Sequence, residues 1–590
     1  MPTKVPERRI MSVFKQKNAI ASTEFKSFEG IDVTAPHGYV PAAGDMVNFR
    51  VTKDGSLEKR SGFAPVAICE KKIRAIWSGK LEGVQSTFIV SGNVVSSVDP
   101  TEHTLVTLGY IANPDGHANF ILFNSRLYLM DGIYIYGVSN TGVRTVEGYA
   151  PLYGKNWGSA KKGPVNEPLN LATRHIRMTY RLNETLTYLC VDHVISSIDA
   201  VYINGSLASQ ENNSYYFDEE LMCVCVMGIK VGDYVELFLT VAESEMDRAA
   251  LFSCKSSVVY GTYTDNRLFL WDGDSEDIMF ASRSVNGDEL QKSQSFYPNT
   301  VPLYIPEDAA FTMTKDGRRI TAVCRHYDRL LIFTNADTWM AKSSESGNPL
   351  DAVTINPSQG CTSDGAVVMC GNDPICVSDG NILCWTSDTD ELSESNAYSI
   401  SKKINPHLTP SFFKNAKLLF DDSLSELYFI DPYDEQGIMW IYNYDTKNWF
   451  KFDGIYADSL FLCDKTLGFV RDNAVYLFND TKGYDVMADG SERKIVAFYE
   501  SLPTDLSVAG NKKRLCGMTL NACLFGGEIC AEYISEGKTI STKKLQSDSL
   551  YPTSIIKRLN SNRFCYLTLR LTCDDGKKQK IYSTSVWAKH

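Results

Sequence analysis

Long apolar runs are missing from this 590-residue chain. Nowhere do about 18 apolar residues follow one another, which is the length that a membrane-spanning helix needs. The amino end, MPTKVPERRIMSVFKQKNAI, carries charges but lacks the apolar stretch of a secretory signal. We therefore expect neither a membrane-spanning segment nor secretion by a signal peptide.

Cysteine and histidine are sparse and scattered. The chain has 16 cysteines and 8 histidines, and they show neither Cys-x-x-Cys nor His-Glu-x-x-His spacing. The one close pair, Cys223 and Cys225, is interpreted as packing within a buried strand. These patterns predict no metal site, no disulfide scaffold and folding in a reducing cytoplasm.

Positive charge is in the minority. The chain has 59 Lys and Arg against 71 Asp and Glu, a net charge of -12, so its surface as a whole repels nucleic acid and anionic membranes. Phosphate-binding glycine loops, dinucleotide fingerprints and Gly-x-Ser-x-Gly elbows are absent. The sequence therefore predicts no catalytic residue, no cofactor and no metal ligand.

Aromatic residues, by contrast, are plentiful. Phe, Trp and Tyr make up 11% of the chain, and together with many Val, Ile and Thr they favour strands over helices. The only convincing helical signal is a polar stretch near Asp390, which could equally be a loop. An apolar share of 44% and a charged share of 22% are typical of a folded globular protein. We predict an all-β fold.

One theme recurs along the chain: a polar turn, a strand of aliphatic and aromatic residues, a second turn and another strand. Its copies begin near Phe88, Leu127, Leu268, Leu330, Ile375, Leu427 and Val475. Most of the spacings suit a four-stranded propeller blade of about 40–50 residues. The repeat predicts a β-propeller of six or seven blades, and an array of unrelated hairpins is the alternative.

Two segments lack this theme: the long step between Leu127 and Leu268, and the chain after Val486. Both carry alternating strands that are typical of β-sandwiches. We predict an N-terminal arm with the first propeller blades at 1–170 and an inserted β-sandwich domain at 171–245, placed between two strands of a blade. The remaining propeller blades are predicted at 246–488 and a C-terminal β-sandwich domain at 489–590.

The most specific pattern is the segment FEGIDVTAPHGYVPAAGDMVNFRVTKDGSLEKRSGF. Its key residues are Phe28, Gly30, Asp45, Asn48, Phe49, Gly55, Leu57, Arg60, Gly62 and Phe63. We call this segment, 28–63, the N-terminal motif. Its chemistry suggests that Asp45 and Gly55 form turns, that Asn48 binds a neighbouring backbone group, that Arg60 pairs with a carboxylate or carbonyl group, and that Phe63 anchors the first strand.

The N-terminal motif resembles the opening of the propeller-type tail proteins of tailed bacteriophages, the nozzle and tail-hub group. The order of the later hairpins, up to the strand ending in YDTKNWFKF, is similar as well. The resemblance implies a non-enzymatic structural component of a phage tail, a nozzle-like or tail-hub ring subunit of the virion that is assembled in the host cytoplasm.

The same resemblance implies partners. They are further copies of this chain in a ring-shaped homo-oligomer, most simply a hexamer, and other phage tail or adaptor proteins. DNA would only pass through the conduit during genome ejection. The net negative charge fits such a conduit, because carboxylates on its inner surface would repel phosphate.

Two alternatives stay open. The sandwiches could bind carbohydrate on the host surface by stacking Tyr215, Tyr216 and Phe217 on sugar rings, although core packing is the commoner role of such aromatics. A propeller glycosidase would instead need two carboxylates about 5–10 Å apart at the central channel.

Overall fold

A computed structural model describes residues 20–36, 38–158, 166–184, 188–209, 214–262, 265–312, 317–343, 350–363, 365–386, 396–508 and 510–589. The amino end, 1–19, and the polar stretch around Asp390 lie outside these ranges. The described helices are short: α1 (Arg248–Phe252), α2 (Gly287–Phe296) and α3 (Pro410–Asn415), with 3-10 turns at Glu243–Glu245, Glu307–Ala309 and Asn405–His407. Nearly everything else regular is strand, so the all-β prediction is confirmed.

The first strands in the chain are β1 (Ile20–Lys26), β2 (Ala43–Val47), β3 (Phe49–Val51), β4 (Leu57–Lys59) and β5 (Gly62–Ile68). Blade 1 consists of β6 (Ile73–Leu81), β7 (Val84–Ser91), β8 (Val94–Asp99) and β9 (Thr104–Tyr110). Blade 2 consists of β10 (Asn119–Phe123), β11 (Arg126–Met130), β12 (Ile135–Ser139) and β13 (Gly142–Val146).

A second kind of domain follows blade 2. Its strands are β14 (Leu152–Trp157), β15 (His175–Arg181), β16 (Tyr188–Cys190), β17 (Ile195–Ile203), β18 (Ser206–Leu207), β19 (Tyr215–Asp218), β20 (Cys223–Val226) and β21 (Tyr234–Val241). They form a five-stranded sheet in the order β14-β15-β21-β17-β18 and a three-stranded sheet in the order β16-β20-β19.

The propeller then resumes with blades 3 and 4. Blade 3 consists of β22 (Ser256–Thr262), β23 (Asp265–Trp271), β24 (Ile278–Ala281) and β25 (Ala310–Thr312). Blade 4 consists of β26 (Ala322–His326), β27 (Arg329–Phe333), β28 (Thr338–Ser343) and β29 (Leu350–Asn356).

Three more blades follow. Blade 5 consists of β30 (Val367–Cys370), β31 (Asp373–Ser378), β32 (Asn381–Trp385) and β33 (Ala397–Ser399). Blade 6 consists of β34 (Lys417–Asp421), β35 (Glu426–Ile430), β36 (Met439–Asn443) and β37 (Asn448–Phe452). Blade 7 combines β38 (Ser459–Cys463), β39 (Thr466–Arg471) and β40 (Ala474–Asn479) with the early strand β5.

The described four-stranded sheets close into a ring of seven blades. The first strands of neighbouring blades lie side by side in the order β6, β10, β22, β26, β30, β34 and β38, and β38 again contacts β6. Because β5 pairs with β40, the two ends of the propeller are joined within one sheet. Of the six or seven blades that the repeat predicted, the structure therefore has seven.

Tight turns explain why the inner hairpins form where the sequence places them. The two residues between β10 and β11, Asn124 and Ser125, both have positive φ, and so do Asp464 and Lys465 between β38 and β39. Two consecutive residues with positive φ form a type I′ turn, whose twist matches that of the flanking strands.

The last strands are β41 (Tyr484–Val486), β42 (Glu492–Lys494), β43 (Ala497–Ser501), β44 (Arg514–Cys523), β45 (Glu528–Ser535), β46 (Lys538–Gln546), β47 (Thr553–Arg558), β48 (Thr568–Cys573) and β49 (Lys580–Lys589). The hairpin β41–β42 forms a separate two-stranded sheet. The others build the terminal sandwich, with β2-β43-β48-β45-β46 as one sheet and β3-β4-β49-β44-β47 as the other, while β1 also pairs with β49.

The predicted domain bounds need correction in three places. The strands β1–β4 belong to the terminal sandwich and not to the propeller. The inserted sandwich begins at Leu152 and lies between blades 2 and 3, not inside one blade. The physical reason for the first correction is that three-residue strands such as β3 and β4 have no stability alone, so their partners depend on tertiary packing.

The main hydrophobic core runs from the propeller into the terminal sandwich without a break. It includes Phe28 and Phe49 from the N-terminal motif, Trp449 from blade 6, and Tyr499 and Leu571 from the sandwich. The rings of Phe28 and Tyr499 meet edge to face at 5.1 Å. A separate cluster fills the inserted sandwich and continues into blades 2 and 3.

Candidate functional site

Asn48 lies at the point where the N-terminal motif meets blade 6 and the end of the propeller. Its φ of 58° turns the chain between β2 and β3. The side-chain Nδ2 donates to Val496 O at 2.7 Å and to Asp453 Oδ1 at 2.6 Å, while Oδ1 accepts from Asp453 N at 3.1 Å and from Arg60 Nε at 2.8 Å. The predicted contact between Asn48 and a neighbouring backbone is confirmed.

Arg60 completes this junction with a buried ion pair. Its Nη1 and Nη2 donate to the two carboxylate oxygens of Asp485 at 2.7 and 2.8 Å, and the two side chains are 1% and 0% exposed. Arg493 donates to the same carboxylate at 2.7 Å and to Gly454 O at 2.6 Å. A forked, charge-assisted contact of this kind holds its partners in one geometry. The predicted pairing of Arg60 is confirmed.

The other predicted roles in the N-terminal motif are partly right. Gly55 lies in the turn between β3 and β4 with a φ of 74°, as expected. Asp45 is not in a turn. It lies in β2 beside a bulge, with Oδ1 2.8 Å from Lys451 Nζ.

Phe63 anchors β5 by packing edge-on against Phe469 at 4.9 Å. That strand closes blade 7 instead of opening blade 1, because its hydrogen-bonding partner β40 lies at the far end of the propeller.

Gly30 shows why the N-terminal motif needs a glycine at that position. A Cβ there would lie 2.0 Å from Trp449 O in blade 6, which is closer than any side chain allows. Ile31 N donates to the same carbonyl at 2.6 Å. The N-terminal motif therefore serves to fasten the chain end onto the propeller, and its side chains Asn48 and Arg60 are occupied by internal contacts.

A cleft of about 690 Å³ opens at the mouth of the propeller channel. It lies where the first strands of several blades begin, and blades 1, 2, 5, 6 and 7 or the loops before them contribute to its wall. Its charged lining residues are Lys71, Lys72, Arg74, Asp115, Lys414, Lys417 and Asp458. We call Lys71, Lys72, Arg74, Lys414 and Lys417 the mouth cations.

The mouth cations have no carboxylate ion pair within 4 Å in the part of the chain that the structure describes. Arg74 instead donates to the backbone carbonyls of Gly92, Asn113, Asp115 and Gly116 at 2.7–3.1 Å. Burial lowers the pKa of its guanidinium. The mouth of the propeller's own channel is therefore basic, although the chain as a whole is acidic.

Sequence reasoning missed the mouth cations. The available signal was the segment EKKIRAIW, in which three cations surround the start of a strand. The adjacent Lys414 and Lys417 lie far away in sequence, at the end of α3 and the start of β34. Because only ring closure brings blades 1 and 6 to either side of blade 7, the cluster has no contiguous pattern.

The aromatic residues that were predicted to stack on sugars divide between two faces of one sheet. Tyr215 and Phe217 pack against the core of the inserted sandwich. Tyr216 points the other way and is 52% exposed. Pairing places it beside Cys225, with Tyr188 on the opposite side of that cysteine. A row of two exposed tyrosines therefore crosses the outer face of the three-stranded sheet.

Cys223 and Cys225 are both buried, as expected, and they lie on the same face of β20. The Sγ atom of Cys223 lies 3.4 Å from that of Cys190. Among the described residues no group of three His, Cys, Asp or Glu side chains is arranged to hold a metal ion. The described helices also include none with the length and apolarity to cross a membrane.

Comparison with known proteins identifies no family for this chain. No protein-family model matches the chain, and no curated protein matches it either. Solved structures that are similar include exo-beta-1,3-galactanase from Phanerochaete chrysosporium with galactose (9% identity, 80% of this chain and 95% of that chain, TM-score 0.17).

A gluconolactonase from Xanthomonas campestris is also similar (11% identity, 68% of this chain and 96% of that chain, TM-score 0.25). So is AztD from Citrobacter koseri (10% identity, 65% of this chain and 85% of that chain, TM-score 0.27). Two of these three are enzymes by name. TM-scores this low carry no argument about activity, so the chain's function rests on its own residues.

Proposed function

We propose that this protein is a non-enzymatic structural component of a bacteriophage tail, a nozzle-like or tail-hub ring subunit. The observation that carries the proposal is the N-terminal motif, whose pattern resembles that of this group of tail proteins. Its polar side chains, above all Asn48 and Arg60, join the chain end, blade 6 and the β41–β42 hairpin. A rigid junction suits a subunit that transmits load within an assembly.

The proposed assembly is a ring-shaped homo-oligomer, with six copies as its simplest form, that contacts other tail or adaptor proteins. DNA would pass through the conduit between subunits without stable binding. The overall charge of -12 supports this idea for that conduit. The basic mouth belongs to the channel inside one propeller, which is a different passage.

The decisive experiment combines imaging of the purified protein with analysis of virions. We expect rings of one stoichiometry in electron micrographs, a matching mass in solution, and the chain in purified particles by mass spectrometry. Gold labelling of a tagged copy should mark one end of the tail. A stable monomer that is absent from particles would overturn the proposal.

A carbohydrate-binding receptor protein is the second candidate, and the exposed row formed by Tyr188 and Tyr216 favours it. Tyrosine rings on a sheet face can stack on sugars. A glycan array tests this function: binding by the wild type should disappear in the Tyr188→Ser, Tyr216→Ser double variant. If the wild type binds no glycan, this candidate fails. A panel of glycosidase assays tests the less favoured alternative, that the propeller is a glycosidase.

A further inference from the structure

The mouth cations flank blade 7 from both sides. Lys71, Lys72 and Arg74 lie at the start of blade 1, whereas Lys414 and Lys417 lie at the start of blade 6. The first strand of blade 7, β38, contacts both neighbouring first strands. Five cations from two blades therefore converge on one cleft, against the carboxylates of Asp115 and Asp458 among its described lining residues.

This concentration of like charge is unfavourable when the cleft is empty. Lys417 Nζ donates to the backbone O of Asp458 at 2.7 Å. Burial lowers the pKa of its ammonium group; the carboxylate of Asp458 acts to raise this pKa, and the positive charge of Lys72 acts to lower it. An anion bound in the cleft would offset both effects, because a nearby opposite charge stabilises the charged form. The site is electrostatically prepared for a negative ligand.

The strand edges at the mouth add a second kind of recognition. In the described chain, β6, β34 and β38 each pair with one neighbouring strand, so their other edges face the channel, although Ile73 N at the start of β6 already donates to Asp472 O at 2.8 Å. Free edges present backbone N–H and C=O groups that an extended peptide can pair with. Nucleic acid has no such complementary backbone.

The aromatic content of the rim points in the same direction. Sites for single-stranded nucleic acid stack successive bases on several aromatic side chains. Among the described lining residues of the mouth, Tyr433 is the single Tyr, Phe or Trp, and it is 75% exposed. Duplex DNA, which is convex, does not fit into a cleft between blades.

We propose that the channel mouth binds an acidic, extended peptide segment of a partner protein. Carboxylates of the peptide contact the mouth cations, and its backbone lies along the exposed edges of the first strands. The proposal does not depend on the phage-tail function, because the cleft and its charges belong to a single chain. It identifies the partner by chemistry: several Asp or Glu residues within one unstructured stretch.

The test uses the full chain and fluorescence anisotropy. The probe is a short fluorescein-labelled peptide of alternating Glu and Gly, and its matched control has Gln in place of Glu. Lys71→Ala, Lys72→Ala, Lys414→Ala is the test variant, because these three side chains are exposed and donate no described hydrogen bond. Lys538→Ala, Lys557→Ala, Lys577→Ala is the control variant, with the same charge change on the terminal sandwich.

We expect the Glu peptide to bind the wild type and the control variant equally well. The test variant should bind it about tenfold more weakly, and the Gln peptide should bind none of the three proteins measurably. Added salt should weaken the binding of the Glu peptide. Protection of Lys71, Lys72 and Lys414 from acetylation by the bound peptide, read by mass spectrometry, provides an independent measurement on the unaltered protein.

Three outcomes would overturn the proposal. The first is no binding of the Glu peptide to the wild type, and the second is equal binding by the test and control variants. The third is displacement of the peptide by single-stranded oligothymidine at lower concentration than by unlabelled peptide, which would make the mouth a nucleic-acid site. None of these results bears on whether the chain forms rings in a virion.

Discussion

The two sandwiches of this protein are built in opposite ways. The inserted sandwich takes all its strands from one continuous stretch, 152–241. The terminal sandwich takes β1–β4 from the beginning of the chain and β43–β49 from its end. Contacts between distant residues form later and at greater entropic cost than local ones. The inserted sandwich can fold as its residues emerge, whereas the terminal sandwich must wait for the whole propeller.

Their attachments to the propeller differ as well. The inserted sandwich docks on α2 through Arg177, whose guanidinium contacts Glu289 at 3.0 Å, and through the stacked rings of Phe238 and Phe296 at 4.4 Å. The apolar core of each sandwich continues into the propeller, into blades 2 and 3 for the inserted sandwich and into blades 4 to 7 for the terminal sandwich. The junction beside the terminal sandwich also holds the fully buried pair of Arg60 and Asp485. The inserted sandwich completes its sheets from its own stretch of chain, but the terminal sandwich needs strands from both chain ends, which the closed ring brings together.

Among the changes that test the difference between the two sandwiches, removing residues 1–61 should have the largest effect. The deletion takes β1–β4 out of both sheets of the terminal sandwich and exposes its buried faces to water. Hydrogen exchange should show loss of protection across β43–β49, while β15, β17 and β21 stay protected. Deleting only 1–19, which leaves every described strand, is the control. Equal loss in both sandwiches would contradict their independence.

Asp485→Asn should cause the second-largest loss of stability. It leaves the buried guanidinium group of Arg60 and the partly exposed one of Arg493 without their carboxylate, which costs about 3 kcal/mol of unfolding free energy. Thermal unfolding should show a clearly lower midpoint. Asp445→Asn, which breaks the exposed ion pair with Lys53, should change stability by less than about 1 kcal/mol. Similar shifts in the two variants would argue against a strong junction.

The inserted sandwich should be sensitive to acid through Asp199. Burial by itself would raise the pKa of this carboxyl group, but the contact with His175 and the hydrogen bonds from Tyr297 and Thr240 lower it to about 2. The unfolded chain therefore takes up this proton first as the pH falls. The stabilisation is complete above about pH 4 and disappears towards about pH 2.

Asp199→Asn should lower stability by about 2 kcal/mol at pH 7 and have almost no effect near pH 2. The measurement is the difference in unfolding midpoint between the variant and the wild type across this pH range. Asp274→Asn, on an exposed turn of blade 3, is the control with the same change of charge. A difference that is constant with pH would show that Asp199 stabilises by shape alone.

The smallest effects on stability are expected at Phe217 and Tyr216, which are neighbours in β19. Phe217→Ala removes a side chain packed against the core of the inserted sandwich and should cost about 1–2 kcal/mol. Tyr216→Ala removes a ring that is 52% exposed and should change stability by less than about 0.5 kcal/mol. Chemical denaturation measures both. Equal costs would mean that the outer face of this sheet is covered in the protein's solution state.

Much of the fold could be predicted from the sequence because hairpins are local. The copies near Phe88, Leu268 and Val475 each carry their strands and turn in one stretch, so their number indicated the propeller. The source of the last strand of blade 7 was not predictable in this way. β5 is separated from β40 by the whole propeller, and no local pattern records that pairing.

The candidate site residues show the same difference between local patterns and contacts with distant segments. Arg60 and Asn48 were recognised as polar groups in need of partners, yet Asp485 and Asp453 could not be named because they lie hundreds of positions away. The mouth cations were overlooked because Lys72 and Lys417 approach each other only after ring closure.

By itself, the sequence determined the strand-rich composition, the recurring hairpins, the inserted and terminal sandwiches and the acidic surface, since composition and short-range periodicity control them. Only the tertiary structure decided that the chain end closes blade 7, that β1–β4 complete the terminal sandwich, and that a basic cleft forms on an acidic protein. The physical reason is that these features arise from contacts between distant segments, which become favourable only when the seven blades have closed into a ring.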